Sequence, residues 1–209
     1  MASISFYDVS VGSYTRALKV LLRILNKAAA TQADPSLLDA RLAPDMYPLA
    51  RQVEIAAMFA GELAEAVTGR KLVPWVQRAN GEPGWGPEPN RHAGDSSSPA
   101  WADATGLVEQ ALEILEKEVG TPSSPAVVVD ARVAAEGVQL PMRIAGETFA
   151  TPAAECVLAN GLPNVLFHVY TAYAILRSRG VALGKIDVLL PFAPERVADE
   201  LVGKGLVAA

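Results

Sequence analysis

From Tyr14 to Ala28 apolar side chains recur every three or four residues, at Tyr14, Ala17, Leu18, Leu21, Leu22, Leu25 and Ala28. That spacing gathers them on one stripe of an α-helix, with Arg16, Lys19, Arg23 and Lys27 mostly outside it. It predicts a helix over 12–30, and Asp34-Pro35-Ser36 then breaks the chain. Leu49, Val53, Ala56, Ala60, Leu63 and Val67 repeat the stripe and predict a helix over 47–67. Pro48 suits its first turn, where a missing N–H costs nothing, and Gly69 suits its stop. A third stripe, from Ala104 through Leu107, Val108, Ala111, Leu112 and Leu115 to Val119, predicts a helix over 102–119, with Asp103 a candidate cap. Thr151-Pro152 reads as a hydroxyl cap followed by proline at the first helical position, opening a fourth helix over 152–179. Gly161-Leu162-Pro163 should break or kink that helix, because proline removes one hydrogen bond and crowds the preceding turn. Gly180 ends it.

The intervening stretches read differently. Residues 74–100 carry Pro74, Pro83, Pro87, Pro89 and Pro99 among glycines and serines, so they predict a long loop. A loop of that length suits a lid or a binding loop, and Trp75 and Trp85 should dock part of it on the bundle. The β-branched runs Ala126–Val129 and Val138–Ile144 predict a small two-stranded excursion. A short amphipathic helix is expected over Pro194–Leu201. Four long helices joined by loops imply an all-α four-helix bundle over 1–190, with 191–209 as a tail or short helix.

Composition narrows the function. Hydrophobic residues make up 51% of 209, enough to bury a substantial core. Eighteen Lys and Arg against 23 Asp and Glu leave a net charge of -5, which argues against a nucleic-acid partner. The single cysteine, Cys156, excludes an internal disulfide or a CxxC pair, and His92 and His168 alone cannot supply a three-histidine metal site. No stretch reaches the ~20 unbroken apolar residues of a membrane span, and no basic, then apolar leader opens the chain. A soluble, cytoplasmic setting is expected.

Two segments concentrate polar groups. In Leu162-Pro-Asn-Val-Leu-Phe-His168, Asn164 and His168 lie four apart and so share a helical face beside the proline. Such a pair is either a satisfied buried hydrogen bond or a site. In Arg41-Leu-Ala-Pro-Asp-Met-Tyr-Pro-Leu-Ala-Arg-Gln52, Asp45 is placed to cap the second helix, with Arg51 and Gln52 farther in. If Asp45 or Gln52 faced His168 across the bundle, an Asp–His pair could act as a general base. Gly81-Glu-Pro-Gly-Trp-Gly86 is not a phosphate loop, since no strand precedes it and no Gly-Lys-Ser/Thr follows. His92 reads as a solvated surface residue and Cys156 as inert burial.

These two segments, with Gly180 and Leu183-Gly-Lys185 after the second and Ile4-Ser-Phe-Tyr-Asp8 at the start, resemble the domain of unknown function nineteen ninety-three over residues 2–187. That family is grouped with the DinB/YfiT-like superfamily of four-helix bundles. The resemblance implies this fold, frequent dimers, and relatives that hold a divalent metal on three histidines or act as thiol-dependent transferases or isomerases. Where the superfamily has His-x-x-x-His in its last helix, this chain has Asn164 and His168, and its second helix offers Gln52 or Asp45 but no histidine. Amides are poor ligands for zinc or nickel, so no metal and no cofactor is expected. The expectation is a homodimeric, cofactor-free acid/base enzyme of isomerase, cyclase or dehydratase type acting on a small molecule. His168 and Asp45 would be catalytic, with Asn164, Gln52, Arg51 and Tyr14 binding substrate. The alternatives are a non-catalytic ligand-binding or dimeric scaffold, and a metal- or thiol-dependent transferase like the relatives.

Overall fold

The computed structural model describes residues 6–31, 34–68, 100–119, 137 and 139–207. Trp75, Trp85, His92, the strand expected at Ala126–Val129 and all of the 74–100 loop except Ala100 lie outside them.

Four long helical segments form the bundle: α1 (Val11–Thr31), α2 (Leu49–Thr68), α3 (Trp101–Glu113) and α4 (Leu162–Ser178). A one-turn helix, Phe6–Val9, leads into α1, and π-type turns extend α3 through Ile114–Val119 and precede α4 at Cys156–Gly161. The predicted stripes turn inward, although Leu22 and Leu107 are only half-buried and Val20 and Ile24 join the core of the first helix besides. Leu18, Leu21, Leu25 and Ala28 of α1 meet Leu49, Ala56 and Leu63 of α2, Val108 and Ala111 of α3, and Val165, Val169 and Ile175 of α4 in one core. The broadest packing is α2 on α4, with α1 against α3 and α4.

Three boundaries differ from expectation for local reasons. Asp45 does not cap α2: it is exposed in the turn before the helix, whose first carbonyl comes from Pro48, accepting from Gln52 N at 3.0 Å. Asp103 sits on the third position of α3 and accepts from Ala100 N at 2.9 Å, so it closes the entry from inside. The hairpin pairs β1 (Gln139–Ile144) with β2 (Glu147–Pro152), register Ile144↔Glu147 and Leu140↔Thr151. Thr151-Pro152 therefore ends a strand, and the helical turn begins at Ala153. The connection is Ala145-Gly146 with φ 52 and 83, the doubly positive backbone of a two-residue hairpin turn.

The fourth helical stretch neither breaks nor stops at Pro163. The chain stays helical from Ala153 to Ser178, and the proline lies in the first turn of α4, directly after the widened turn. Gly180, at φ 86, ends α4: Val181 N reaches the Leu176 carbonyl at 3.1 Å and Gly180 N the Arg177 carbonyl at 3.2 Å. Beyond it come α5 (Lys185–Leu189) and α6 (Glu195–Gly203), the latter with none of its residues buried.

Asp187 fixes α5 to the bundle. It is 1% exposed, accepts from Gly184 N at 2.8 Å, and meets Arg23 at 3.1 Å and Lys27 at 2.9 Å on α1. Burial opposes its charge, but the Gly184 N–H, Lys27 and Arg23 outweigh that and hold its carboxyl below the usual carboxylate range.

Candidate functional site

His168 lies midway along α4 on the face turned to α2, 7% exposed. Its Nδ1 stands 2.6 Å from Gln52 Oε1, while Gln52 Nε2 donates to the Tyr47 carbonyl at 3.1 Å. These two bonds assign the proton. An amide nitrogen spent on a carbonyl turns the amide oxygen to the imidazole, and an oxygen only accepts, so Nδ1 carries the hydrogen and Nε2 keeps its lone pair. Gln52 is itself 1% exposed, which fixes the direction of the chain Tyr47 C=O, Gln52, His168.

The surroundings disfavour a charged imidazole. Burial, followed by the Arg51 guanidinium, pushes the His168 pKa down to about 4. Arg51 pairs with Glu54 at 2.6 Å and lies 6.0 Å from the centre of the Tyr47 ring. Phe167 stands edge-on to the imidazole, ring centres 5.3 Å apart. His168 is thus a neutral base at physiological pH, oriented by an amide in place of a carboxylate.

The expected site residues separate into those the fold gathers and those it does not. His168, Gln52 and Arg51 come together. Asn164 does not orient His168: its amide donates to the Asn160 carbonyl at 2.7 Å and to Asn160 Oδ1 at 3.0 Å, serving the widened turn. Asp45 is exposed in the approach to α2, and the side chain that meets His168 across the bundle is Gln52. Tyr14 is 1% exposed in the core, its hydroxyl 3.4 Å from the Val157 carbonyl. Burial first, then Cys156 and Glu62, raises that phenol above its ordinary value, so it stays protonated. The backbone carbonyl of Tyr47, the partner Glu54 and the contact of Tyr14 with Gly161 were not anticipated. Only Glu54 carried a local signal, three residues beyond Arg51 on one helix.

The chain matches, over residues 6–189, the family described as a domain of unknown function, DUF1993. It belongs to that family. Among solved structures it resembles a DinB family member protein from Shewanella denitrificans, with 28% identity, a TM-score of 0.59, and coverage of 88% of this chain and 90% of that one. No curated protein matches it. The DUF1993 chain thus has the DinB-like fold expected from its two polar motifs. The three-histidine metal that the resemblance implies for the superfamily does not fit the residues present here. Gln52 and Asn164 spend their amides on Tyr47 and Asn160, and no group of three His, Cys, Asp or Glu among the described residues could hold an ion. Nor is any helix among them long and apolar enough to cross a membrane.

Proposed function

We propose that this DUF1993 protein binds a small molecule beside His168 and catalyses a proton transfer of the isomerase, cyclase or dehydratase type without a metal. The observation that carries this is the 2.6 Å bond from His168 Nδ1 to Gln52, with Gln52 held in turn by Tyr47. It leaves the Nε2 lone pair for an acidic C–H or O–H, and the transferred proton would return from Nε2 to the product. Arg51, one residue from Gln52, is the cation suited to an oxyanion formed as the proton leaves. Asp45 is not part of this reading.

Depletion of His168 by His168→Ala should abolish turnover or ligand binding, scored against a panel of small carbonyl and hydroxy compounds, with the fold retained by circular dichroism. A second reading, a non-catalytic scaffold, is favoured by the completeness of the Tyr47–Gln52–His168 chain, which makes a sound core hydrogen bond without any ligand. A large fall in Tm with no change in any ligand response would decide for the scaffold. A cytoplasmic homodimer accompanies either reading. Outward Phe167 and Tyr170 on α4, 56% and 44% exposed, support pairing, and sedimentation of Phe167→Glu against the parent checks it.

A further inference from the structure

Ala153, Val157, Gly161, Val165 and Val169 are buried at unbroken four-residue steps. In an ordinary α-helix each such step drifts about 40° around the axis, so the series would leave the core. It stays inside because Cys156–Gly161 is wound as a π turn, in which Leu162 N reaches back five residues to the Val157 carbonyl. A turn of this kind carries one residue more than the regular ladder accommodates, and such turns are rare and concentrate at functional sites.

Tyr14 stands over that turn from α1. Its hydroxyl lies 3.4 Å from the same Val157 carbonyl, in a site closed to water. A Cβ added to Gly161 would collide with the Tyr14 hydroxyl oxygen, while ring carbon Cζ would stay at 3.4 Å, an ordinary contact. The hydroxyl therefore fills the volume a side chain at 161 would need. On the far side of the turn, Asn164 ties itself to Asn160 and Pro163 rules out a regular ladder through the junction.

We infer that Tyr14 is a positioning residue: its hydroxyl, seated against Gly161 and the Val157 carbonyl, holds the extra residue of the π turn and so sets the rotation at which His168 meets Gln52. Removing the extra residue from the ladder would turn the two halves of the helix against each other by about 100°, one residue of α-helical rotation. Both halves are anchored, the upstream one by buried Ala153 and Val157 and the downstream one by Val165, Val169 and Ile175, so the twist would fall on the junction and disturb the His168–Gln52 bond just beyond it. This bears on turnover only through the role proposed above for His168, but the geometry is read without a substrate.

The chain has two histidines, so imidazole nitrogen resonances of the full-length protein, assigned with His92→Gln, report His168 directly. In the parent protein His168 should show the neutral Nδ1–H form, titrating only at about 4. Gly161→Ala should move that midpoint upward by about one pH unit or more and mix the tautomers. Tyr14→Phe alone leaves the space over Gly161 empty and should disturb both signals, whereas Tyr14→Phe combined with Gly161→Ala refills that volume and should restore them. If Gly161→Ala alone does not fold, a folded double variant with the parental His168 signals supports the role equally. The proposal fails if Gly161→Ala leaves His168 unchanged, if the double variant is as displaced as the single one, or if neither variant folds. Loss of every ligand response with intact His168 resonances would instead sink the acid/base function and leave this positioning untouched.

Discussion

An amide, not a carboxylate, orients the one histidine that the fold buries among the described residues. Gln52 offers an oxygen to Nδ1 without a charge, so nothing offsets the loss of hydration that keeps His168 neutral. Gln52→Glu should reverse this: a carboxylate 2.6 Å away would favour the imidazolium and raise the midpoint from about 4, read by the same nitrogen resonances. The variant would also lose the bond to the part-buried Tyr47 carbonyl, at a cost of about 1 kcal/mol, visible as a lower denaturation midpoint in urea. An unchanged titration would mean that Nδ1 does not face residue 52. Both residues are legible in the sequence as polar positions on apolar helices, but their pairing spans 116 positions and no local spacing encodes it. The i, i+4 rule suggested Asn164 as the partner instead. It failed because a short amide beside a widened turn finds its neighbour's carbonyl first.

At the scale of elements, four stripes of three- and four-residue spacing locate the four helices, because each must bury one face. What the stripes hide is the irregularity within them. The unbroken four-residue steps from Ala153 to Val169 signal a π turn in the sequence itself, although Gly161-Leu162-Pro163 reads more readily as a break. Proline disrupts a helix when its absent N–H strands a buried carbonyl. Here the preceding residues Leu158 and Ala159 are exposed, so the missing N–H strands no carbonyl in the core and the helix continues. The hairpin is half legible: the run Val138–Ile144 supplies its first strand, but Thr-Pro is equally a helix start and a strand end, and the positive φ of Ala145 and Gly146 decides for the strand. Gly180 plays its expected part, and Gly180→Ala places a Cβ at φ 86 in the turn that ends α4. The change should lower stability by roughly 1 kcal/mol, checked by thermal denaturation.

For the whole molecule, two buried groups make stability depend on acid in the same direction through separate windows. His168 is neutral in the fold down to about 4, whereas in the unfolded chain it takes a proton near 6.5. Between those values the unfolded chain binds more protons, so stability falls as pH drops through 6.5 and levels off below about 4. The full loss is on the order of 3 kcal/mol, from about 1.36 kcal/mol for each pH unit separating the two states. Asp187 acts lower. Its folded carboxyl lies below the ordinary 3.8, so its contribution is complete above that value and is lost as pH falls through the folded pKa. Protonation there also frees Arg23 and Lys27, loosening α5 from α1. Thermal denaturation from pH 7 to pH 3 should show a decline in two stages. His168→Gln, with His92→Gln as control, should flatten the stage between 6.5 and about 4 while leaving the lower one, and Asp187→Asn should do the opposite. A Tm that holds steady in the parent protein across the upper window would mean that the bundle accepts an imidazolium at position 168, and the neutral base read from its bond to Gln52 would not stand.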